Sequence, residues 1–376
     1  LLTGSGYRLK VPAIDLAEVG AGGGSIVWLD PAGALQIGPR SAGATPGPVC
    51  YGKGGTEPTM TDACAILGYL NPDHLVGGDL PLNTELSKKV FADTIAGPLG
   101  LELEQAAYGA YEIASANMIR AIKSVSSERG RDPRDYVLFA FGGNGPLFAG
   151  AMATILGMRR ILVPPAPGVF SAFGLLCAEV EHHYSQTLRR VLQSADPVEL
   201  ESSWKLLETQ ADTQLSLDWF PPEQRRLIRS ANMHYQGQIY ELSVPVPEGP
   251  IDQAALEVLQ DAFGDEHERT YGHRAGPDEP VELVNLELVG QGLSTVSRVP
   301  EGLHAVQNTN QQSKPRQAYF GREHAWMDTP VIAREALSKS HSGPCIIDEY
   351  DATCLVPPGA KASLDDYGNI VIDLCE

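Results

Sequence analysis

The chain has few cysteines, few basic residues and no long apolar run, and each shortage excludes a class of protein. Its six cysteines are far apart in the sequence and form no CxxC pair, which excludes zinc-ribbon and thioredoxin-type motifs. The 28 basic residues face 47 acidic ones, and a formal charge of −19 repels nucleic acid phosphates and anionic lipid headgroups. No apolar stretch approaches the roughly 20 residues that a membrane-spanning helix needs. We therefore predict a cytoplasmic protein that binds neither nucleic acid nor membrane.

The chain does contain enough hydrophobic residues to form large cores. The 376 residues are 43% hydrophobic, which predicts a globular protein of two or three domains. The first residues, Leu1-Leu2-Thr3-Gly4, lack an initiator methionine and the charged and apolar regions of a signal peptide. We expect the chain to be a piece of a longer protein.

The spacing of apolar residues predicts an α/β layer in the first half of the chain. Apolar residues recur at spacings of three and four over residues 104–129 and 147–156, as amphipathic helices require. Residues 136–141 and 161–163 are short, apolar and rich in β-branched and aromatic side chains, which indicates buried strands. Helices that alternate with strands through short connections indicate an α/β fold.

The second half predicts smaller modules. Residues 197–215 and 253–271 have helical periodicity, and two alternating runs around Gln236-Gly237 predict a hairpin. Short strand-like runs fill the end of the chain. We predict an ATPase-lobe portion over residues 1–190, an α+β domain over 191–300 and a β-rich module over 301–376.

Gly142, Gly143, Asn144 and Gly145 follow the predicted strand 136–141 directly and precede a predicted helix. A turn without side chains beside a helix N-terminus lets a flat ring lie against bare backbone. This geometry is typical of nucleotide sites, although such a turn is also a common way of making a tight corner.

A second glycine run contains Gly22, Gly23, Gly24 and Ser25. Successive glycine N–H groups can form a concave anion-binding nest, so the run is a candidate loop near a phosphate or the substrate. It lacks the Lys-Ser/Thr ending of a P-loop. A hairpin turn or a bulge is the alternative.

The titratable residues give weaker candidates. Asp62 precedes a predicted helix over 63–70, so it is first an N-cap and only second a candidate catalytic carboxylate. Adjacent His182 and His183 cannot share a face, and the acidic residues at 348–351 and 365–366 do not have EF-hand spacing. We predict solvated turns for these acidic residues and no metal site in this chain.

Several stretches together resemble the hydantoinase A/5-oxoprolinase family in their order, their separations and their residues, across nearly the whole chain. These are residues 19–26, 38–52, 141–146, 167–172, 235–242, 280–286 and 343–351. The resemblance implies the actin, Hsp70 and sugar kinase fold, in which ATP lies between two lobes and a late Gly-Gly turn supports adenosine. The two Asp-Gly-Gly-Thr hairpins that hold the phosphates in that fold are absent from this sequence. We expect Leu1 to follow directly after the second of them, so the fold is a partial actin-like lobe.

The resemblance also suggests adenine contacts. Chaperone relatives place a cationic residue and a serine three positions apart on the helix before the adenosine turn, and Lys123 and Ser126 are similar. Lys123 would lie across the base and Ser126 would bond its edge, since residues three apart share a helix face. A surface lysine and a helix-facing serine are the alternative.

The implied activity is ATP- and Mg²⁺-dependent opening of a cyclic amide, such as a hydantoin, 5-oxoproline or another lactam, after phosphoryl activation. Related assemblies carboxylate ketones, and a non-catalytic interaction subunit is a further alternative. The implied partners are a hydantoinase B-like subunit and the missing N-terminal ATPase half, in a hetero-oligomer. Many relatives carry His-Thr where this chain has Ala17-Glu18, which predicts a different substrate if that region touches substrate.

Overall fold

The computed structural model describes residue 14 and residues 16–276, 279–295 and 315–374. Its α-helices are α1 (Met60–Ile66), α2 (Thr84–Phe91), α3 (Gly97–Leu99), α4 (Leu103–Val125), α5 (Gly145–Leu156), α6 (Phe170–Cys177), α7 (Pro197–Leu217), α8 (Gln253–Tyr271) and α9 (Gly321–His324). Its strands are β1 (Ser25–Leu29), β2 (Leu35–Ser41), β3 (His74–Leu75), β4 (Leu80–Pro81), β5 (Leu138–Phe139), β6 (Arg160–Val163), β7 (Val180–Val191), β8 (Arg225–Tyr235), β9 (Leu242–Pro245), β10 (Val281–Gly292), β11 (Arg316–Tyr319), β12 (Trp326–Thr329), β13 (Val331–Ile332), β14 (His341–Ser342), β15 (Cys345–Asp348), β16 (Thr353–Val356), β17 (Lys361–Leu364) and β18 (Ile370–Asp373). The predicted mixed α/β class is confirmed. Within the described residues, no helix is both long enough and apolar enough to cross a bilayer.

The chain forms two compact units. The larger unit contains Ala17–Ser127, Asp132–Leu176 and the C-terminal residues 315–374. The smaller unit contains residues 128–131 and the described part of 177–298.

The C-terminal segment differs from the separate module predicted over residues 301–376. Strands of the larger unit follow the order β14-β17-β18-β6-β5, with β18 antiparallel to β6 and β5 parallel to β6. Ile370 and Ile372 of β18 lie opposite Val163 and Ile161 of β6, and all four are buried. The last strands therefore complete a sheet that the segment before residue 190 begins, and both segments share one core.

Helices α4 and α5 pack together in that core. The Tyr111 ring stacks on Phe148 at a centroid distance of 4.7 Å, and its hydroxyl donates to the Leu147 carbonyl at 3.0 Å. Helix α5 ends at the predicted Gly157, whose φ of +68° favours glycine. Helix α4 ends at Val125, before the predicted residue 129, because its backbone leaves helical geometry at Ser126.

The smaller unit is a four-stranded antiparallel sheet, ordered β7-β10-β8-β9, with helices α7 and α8 packed against it. The predicted hairpin is confirmed, with Met233 of β8 opposite Leu242 of β9. Trp204 of α7 and Phe263 of α8 are fully buried. Helix α8 has the predicted bounds, and the Asp252 side chain caps it by accepting from the Ala255 N–H at 2.8 Å.

Candidate functional site

The larger unit contains a cavity of about 430 Å³ where several of the predicted site residues meet. Its wall includes Gly23 and Gly24 of the first glycine run and Gly143 and Asn144 of the second. The remaining lining residues are Tyr51, Thr61, Leu70, Asn71, His74, Leu75, Val76, Gly77, Leu80, Asp348, Glu349, Tyr350, Asp351, Ala352 and Thr353. The volume lies within the range of about 300–1,000 Å³ that is typical of small-molecule sites.

The first glycine run is a closed loop that Ser25 ties together. The Ser25 hydroxyl accepts from the Gly22 N–H at 2.9 Å and donates to the Gly20 carbonyl at 3.2 Å. The Ser25 N–H donates to the Gly22 carbonyl at 3.0 Å. The Gly22 N–H and the Ser25 hydroxyl thus make hydrogen bonds within the loop. Of the four residues of this run, Gly23 and Gly24 line the cavity.

The second glycine run is the turn between β5 and α5. Gly142 has a φ of +84°, which favours glycine, and its N–H donates to the Pro167 carbonyl at 2.7 Å. Asn144 is the N-cap of α5, but its side chain makes no capping hydrogen bond. The first N–H groups of α5 therefore receive no hydrogen bond from a capping side chain. They are left available to an anion or to the polar edge of a ring, both of which bind at helix N-termini.

The two glycine runs are in direct contact. A Cβ added at Gly23 would lie 2.2 Å from Asn144 Nδ2 and 2.9 Å from Thr61 Oγ1. Thr61 also holds the loop, because its N–H and its hydroxyl both donate to the Gly23 carbonyl, at 2.9 and 3.0 Å. A side chain at position 23 would collide with Asn144 and Thr61 unless they moved, so the Gly23 backbone meets these two side chains on this side of the cavity.

Another part of the cavity wall is acidic and comes from β15 and the turn after it. Asp348 pairs with Arg316, and Glu349 pairs with Arg334 through Nη2 and Oε2 at 2.7 Å. Burial raises the pKa of Asp348 and of Glu349, and the paired arginines lower each pKa by less. The prediction of solvated turns is wrong for these two carboxylates. Apolar Cys345-Ile346-Ile347 immediately before Asp348 was the sequence signal for a buried strand end.

Asp351 lies beside the second glycine run. Its Oδ2 accepts from the Gly168 N–H at 2.8 Å, and its carbonyl oxygen would lie 3.6 Å from a Cβ added at Gly143. Tyr350 packs its ring over Gly77, and its hydroxyl donates to Asp79 Oδ2 at 3.3 Å. Tyr350 and Asp351 are candidate ligand contacts that the sequence reasoning missed.

Asp62 is fully buried and holds the wall that carries Tyr51. Its two oxygens accept from the N–H groups of Val49, Cys50 and Thr59 at 3.1, 2.8 and 2.8 Å. They also accept from the hydroxyls of Thr59 and Ser87 at 2.8 and 2.5 Å. Thr59, and not Asp62, is the N-cap of α1, and Asp62 is the third residue of a capping box. The N-cap prediction for Asp62 is therefore wrong by three positions.

Lys123 and Ser126, at the end of α4, do not line this cavity. The Ser126 hydroxyl donates to the Ile122 carbonyl at 2.6 Å, and Lys123 is exposed. Ala17 and Glu18 line a separate cavity of about 330 Å³ together with Arg120.

Within the part of the chain that the structure describes, no cluster of three or more His, Cys, Asp or Glu side chains has the geometry of a metal site. His182 pairs with Asp218, and His183 pairs with Glu181 at 3.3 Å, so the adjacent histidines have separate partners. The described cavity residues therefore provide no metal-ligand cluster of that kind.

The larger unit thus places a cavity, lined in part by glycine backbone, at the N-terminus of a helix, as many small-molecule sites do. Residues 2–184 match the family model described as hydantoinase/oxoprolinase, and residues 190–372 match the model of the hydantoinase/oxoprolinase C-terminal domain. The chain therefore belongs to the hydantoinase/oxoprolinase family.

Its relatives include lactam- and ketone-directed proteins. The chain is 37% identical to caprolactamase subunit alpha of Pseudomonas jessenii, over 96% of this chain and 52% of the relative. It is 34% identical to the acetophenone carboxylase gamma subunit of Aromatoleum aromaticum, over 98% of this chain and 52% of the relative. The crystal structure of ATP-dependent caprolactamase from P. jessenii matches with a TM-score of 0.84 and 35% identity, over 94% of this chain and 52% of that one. The chain thus spans about half the length of the curated relatives it matches.

Proposed function

We propose that this chain contributes the adenosine-binding lobe of an ATP-dependent enzyme that opens cyclic amides. The contact between Gly23 and the Asn144 side chain carries the proposal, because it brings both predicted glycine runs into one cavity wall in which Gly23, Gly24 and Gly143 present bare backbone. A flat base needs such a surface, since side chains on it would occupy the space of the ring. The caprolactamase relatives support ATP as cofactor and a lactam as substrate.

In this proposal the purine lies against Gly143 and Asn144, at the N-terminus of α5. Asp351 and Tyr350 line the same cavity, with Asp351 beside Gly143, and would contact the ligand there. Lys123 and Ser126 do not line this cavity, so their predicted adenine contacts are not part of this placement of the purine and stay a prediction.

Bound ATP would supply the phosphoryl group that activates the amide. Phosphoryl transfer depends chiefly on positioning and on neutralising charge with a cation such as Mg²⁺. The described residues offer no metal-ligand cluster for this. We therefore propose that the phosphate and Mg²⁺ residues come from a polypeptide segment equivalent to the other half of the relatives, and that a hydantoinase B-like subunit completes a cytoplasmic hetero-oligomer.

A ketone carboxylase subunit is the second candidate, because the acetophenone carboxylase gamma subunit matches this chain over nearly the same length. Both candidates use the same nucleotide cavity. Product analysis of the assembled enzyme with a lactam and, separately, with a ketone and bicarbonate distinguishes them.

Substitution of Gly143 tests the nucleotide site. The valine side chain of Gly143→Val would project beside the Asp351 carbonyl into the cavity, where the ring is proposed to lie. We expect nucleotide affinity, measured by calorimetric titration of ATP, to fall at least about tenfold, since a filled pocket excludes its ligand.

Gly276→Val is the matched control, because Gly276 is exposed, lies in the smaller unit and has open space around its Cβ position. Equal ATP affinity of the two variants would contradict the adenosine site. No ATP binding by the wild-type chain would favour a non-catalytic interaction subunit.

A further inference from the structure

The larger unit contains a further cavity, of about 620 Å³, that the proposed function leaves unused. Helices α4, α5 and α9 line it, together with the turn after β16. Among the described residues, none lines both this cavity and the cavity of the two glycine runs. Its volume also lies within the range of about 300–1,000 Å³ that is typical of small-molecule sites. The unit therefore has room for a second ligand.

Much of the lining of this cavity is aromatic. The Tyr69 and Tyr111 rings meet edge to face, at 5.4 Å between centroids. The Tyr69 hydroxyl donates to the Tyr319 carbonyl at 2.6 Å. The Tyr111 hydroxyl donates to the Leu147 carbonyl at 3.0 Å. Because both hydroxyls are bonded within the protein, these two residues offer a ligand their rings, and Leu355 extends the apolar lining.

Three charged side chains line the same cavity: Glu112 of α4, and Arg322 and Glu323 of α9. All three are accessible to solvent, and within the part of the chain that the structure describes their side chains have no hydrogen-bond or salt-bridge partner. Partial burial raises the pKa of Glu112, and the positive charge of Arg322 lowers it by less, so these two opposite charges lie near each other. Both signs of charge are therefore available to a ligand in the cavity.

Tyr108 adds a hydroxyl beside these charges. Its ring packs on Gly321, where an added Cβ would lie 2.8 Å from Tyr108 Cε1 and 3.0 Å from the hydroxyl oxygen. Burial raises the pKa of the Tyr108 hydroxyl, and the carboxylates of Glu112 and Glu323 raise it further. The hydroxyl therefore stays protonated at neutral pH and can donate or accept. The polar groups of the cavity are thus gathered around Tyr108, and the rings of the previous paragraphs form the apolar part.

We propose that this cavity binds an amino acid with an apolar body. Its ammonium group would pair with Glu112 and its carboxylate with Arg322. Its hydrocarbon part would lie along the rings of Tyr69 and Tyr111. This inference goes beyond the proposed function and does not depend on which ligand occupies the cavity of the glycine runs.

The charges favour this class of ligand over the alternatives. An uncharged ligand would displace water from both charged side chains and pair with neither, and a cation or an anion would pair with only one of them. A zwitterion pairs with both. Glu323 adds a second carboxylate near Tyr108, which favours a ligand that carries an ammonium group there.

Calorimetric titration of the purified chain tests the proposal and separates two kinds of amino acid. L-leucine is an α-amino acid, and 6-aminohexanoate is the ω-amino acid that hydrolysis of caprolactam releases. Hexylamine and hexanoate have a similar body and one charge only. We expect at least one of the two zwitterions to bind. We expect hexylamine and hexanoate to bind at least about tenfold more weakly than that zwitterion, because each leaves one of the two charged side chains without a partner.

Two variants test the charged groups separately. Arg322→Gln should lower the affinity for the zwitterion at least about tenfold and leave the affinity for hexylamine unchanged. Glu112→Gln should lower the affinity for the zwitterion and for hexylamine, and leave the affinity for hexanoate unchanged. Arg40→Gln is the matched control, because Arg40 is an exposed cation of the same unit that pairs with Glu57 and lines neither cavity.

The proposal is overturned if neither zwitterion binds to the wild-type chain, or if hexylamine binds as tightly as the zwitterion. It is also overturned if Arg322→Gln and Glu112→Gln bind the zwitterion as tightly as Arg40→Gln does. Binding of L-leucine or of 6-aminohexanoate supports it and identifies the kind of amino acid. Gly143→Val should bind the amino acid with the affinity of the wild-type chain, since Gly143 lines the other cavity. Failure of the adenosine site would therefore leave this result unchanged.

Discussion

At the scale of single residues, Asp62 shows how a buried carboxylate near a cavity can be structural. Its oxygens accept five hydrogen bonds, three of them from the backbone around Val49, Cys50 and Thr59. These donors occupy the lone pairs that a catalytic base or a metal ligand would use. The residue therefore positions the wall that carries Tyr51.

Removal of Asp62 should be costly for stability. In Asp62→Ala the buried N–H groups of Val49 and Cys50 lose their acceptors, and each unsatisfied buried donor costs about 1–3 kcal/mol. We expect a loss of about 3 kcal/mol or more in the free energy of unfolding, measured by chemical denaturation, and a smaller loss in Asp62→Asn. Asp132→Ala, which removes an exposed cap, is the control. Equal losses in Asp62→Ala and Asp132→Ala would contradict the structural role.

At the scale of elements, β15 ends in two buried ion pairs. Asp348 and Glu349 lie in the cavity wall, and their partners Arg316 and Arg334 are also largely buried. Arg334 additionally donates to the carbonyls of Gly368 and Pro164, at 2.7 and 2.9 Å. Breaking such a pair leaves a buried charge without a partner, so the acidic wall depends on both arginines.

The pH dependence of stability should reveal the burial of Asp348. Because its pKa is raised above 3.8 in the folded protein, the folded state holds this proton more tightly than the unfolded chain does. The stabilisation is fully present below pH 3.8 and is lost as the pH rises through the raised pKa. The free energy of unfolding of wild type minus that of Asp348→Asn should therefore decrease from pH 4 upward, as measured by denaturant titration.

Asp132 provides a control of opposite sign. A hydrogen bond from Arg134 lowers the pKa of this exposed carboxyl from 3.8 to about 2. Its contribution to stability is present above pH 3.8 and is lost as the pH falls toward 2. The free energy of unfolding of wild type minus that of Asp132→Asn should therefore increase with pH between pH 2 and 3.8. The same sign of slope for both variants would contradict the assignment for Asp348.

Local signals predicted the elements better than the tertiary arrangement. Helix α8 was predicted with its observed bounds, since apolar periodicity, the Asp252 cap and Gly272 are all local features. The sharing of one sheet by β18 and β6 was not predicted, because residues 160 and 373 are far apart in sequence and pair only in the fold. For the same reason the sequence reasoning named Gly23 and Gly143 but missed Tyr350 and Asp351, which join them in the cavity only in the fold.

At the scale of the whole molecule, the chain spans about half of relatives that include an ATP-dependent caprolactamase. Its described residues line a cavity with backbone and with paired carboxylates, and within them no metal-ligand cluster occurs. The proposed nucleotide binding and the proposed cation-dependent chemistry should therefore be separable by experiment.

The isolated chain should not turn over ATP. We expect no phosphate release above the rate without protein when the purified chain is given Mg-ATP with caprolactam or 5-oxoproline, because charge neutralisation at the transferred phosphoryl group is missing. Intact P. jessenii caprolactamase serves as the positive control in the same phosphate assay. Clear turnover by the chain without any added subunit would contradict the proposed division of the site.

The contact of Gly23 with Asn144 has a thermodynamic consequence. Where the wall is main chain, as at Gly23, Gly24 and Gly143, it has no side-chain rotamers to immobilise, so a planar ligand lying there loses its own conformational freedom while that part of the protein loses almost none. Differences in affinity among flat heterocycles should then follow the shape and the hydration of each heterocycle. Conformational changes of the protein on binding should contribute little to these differences.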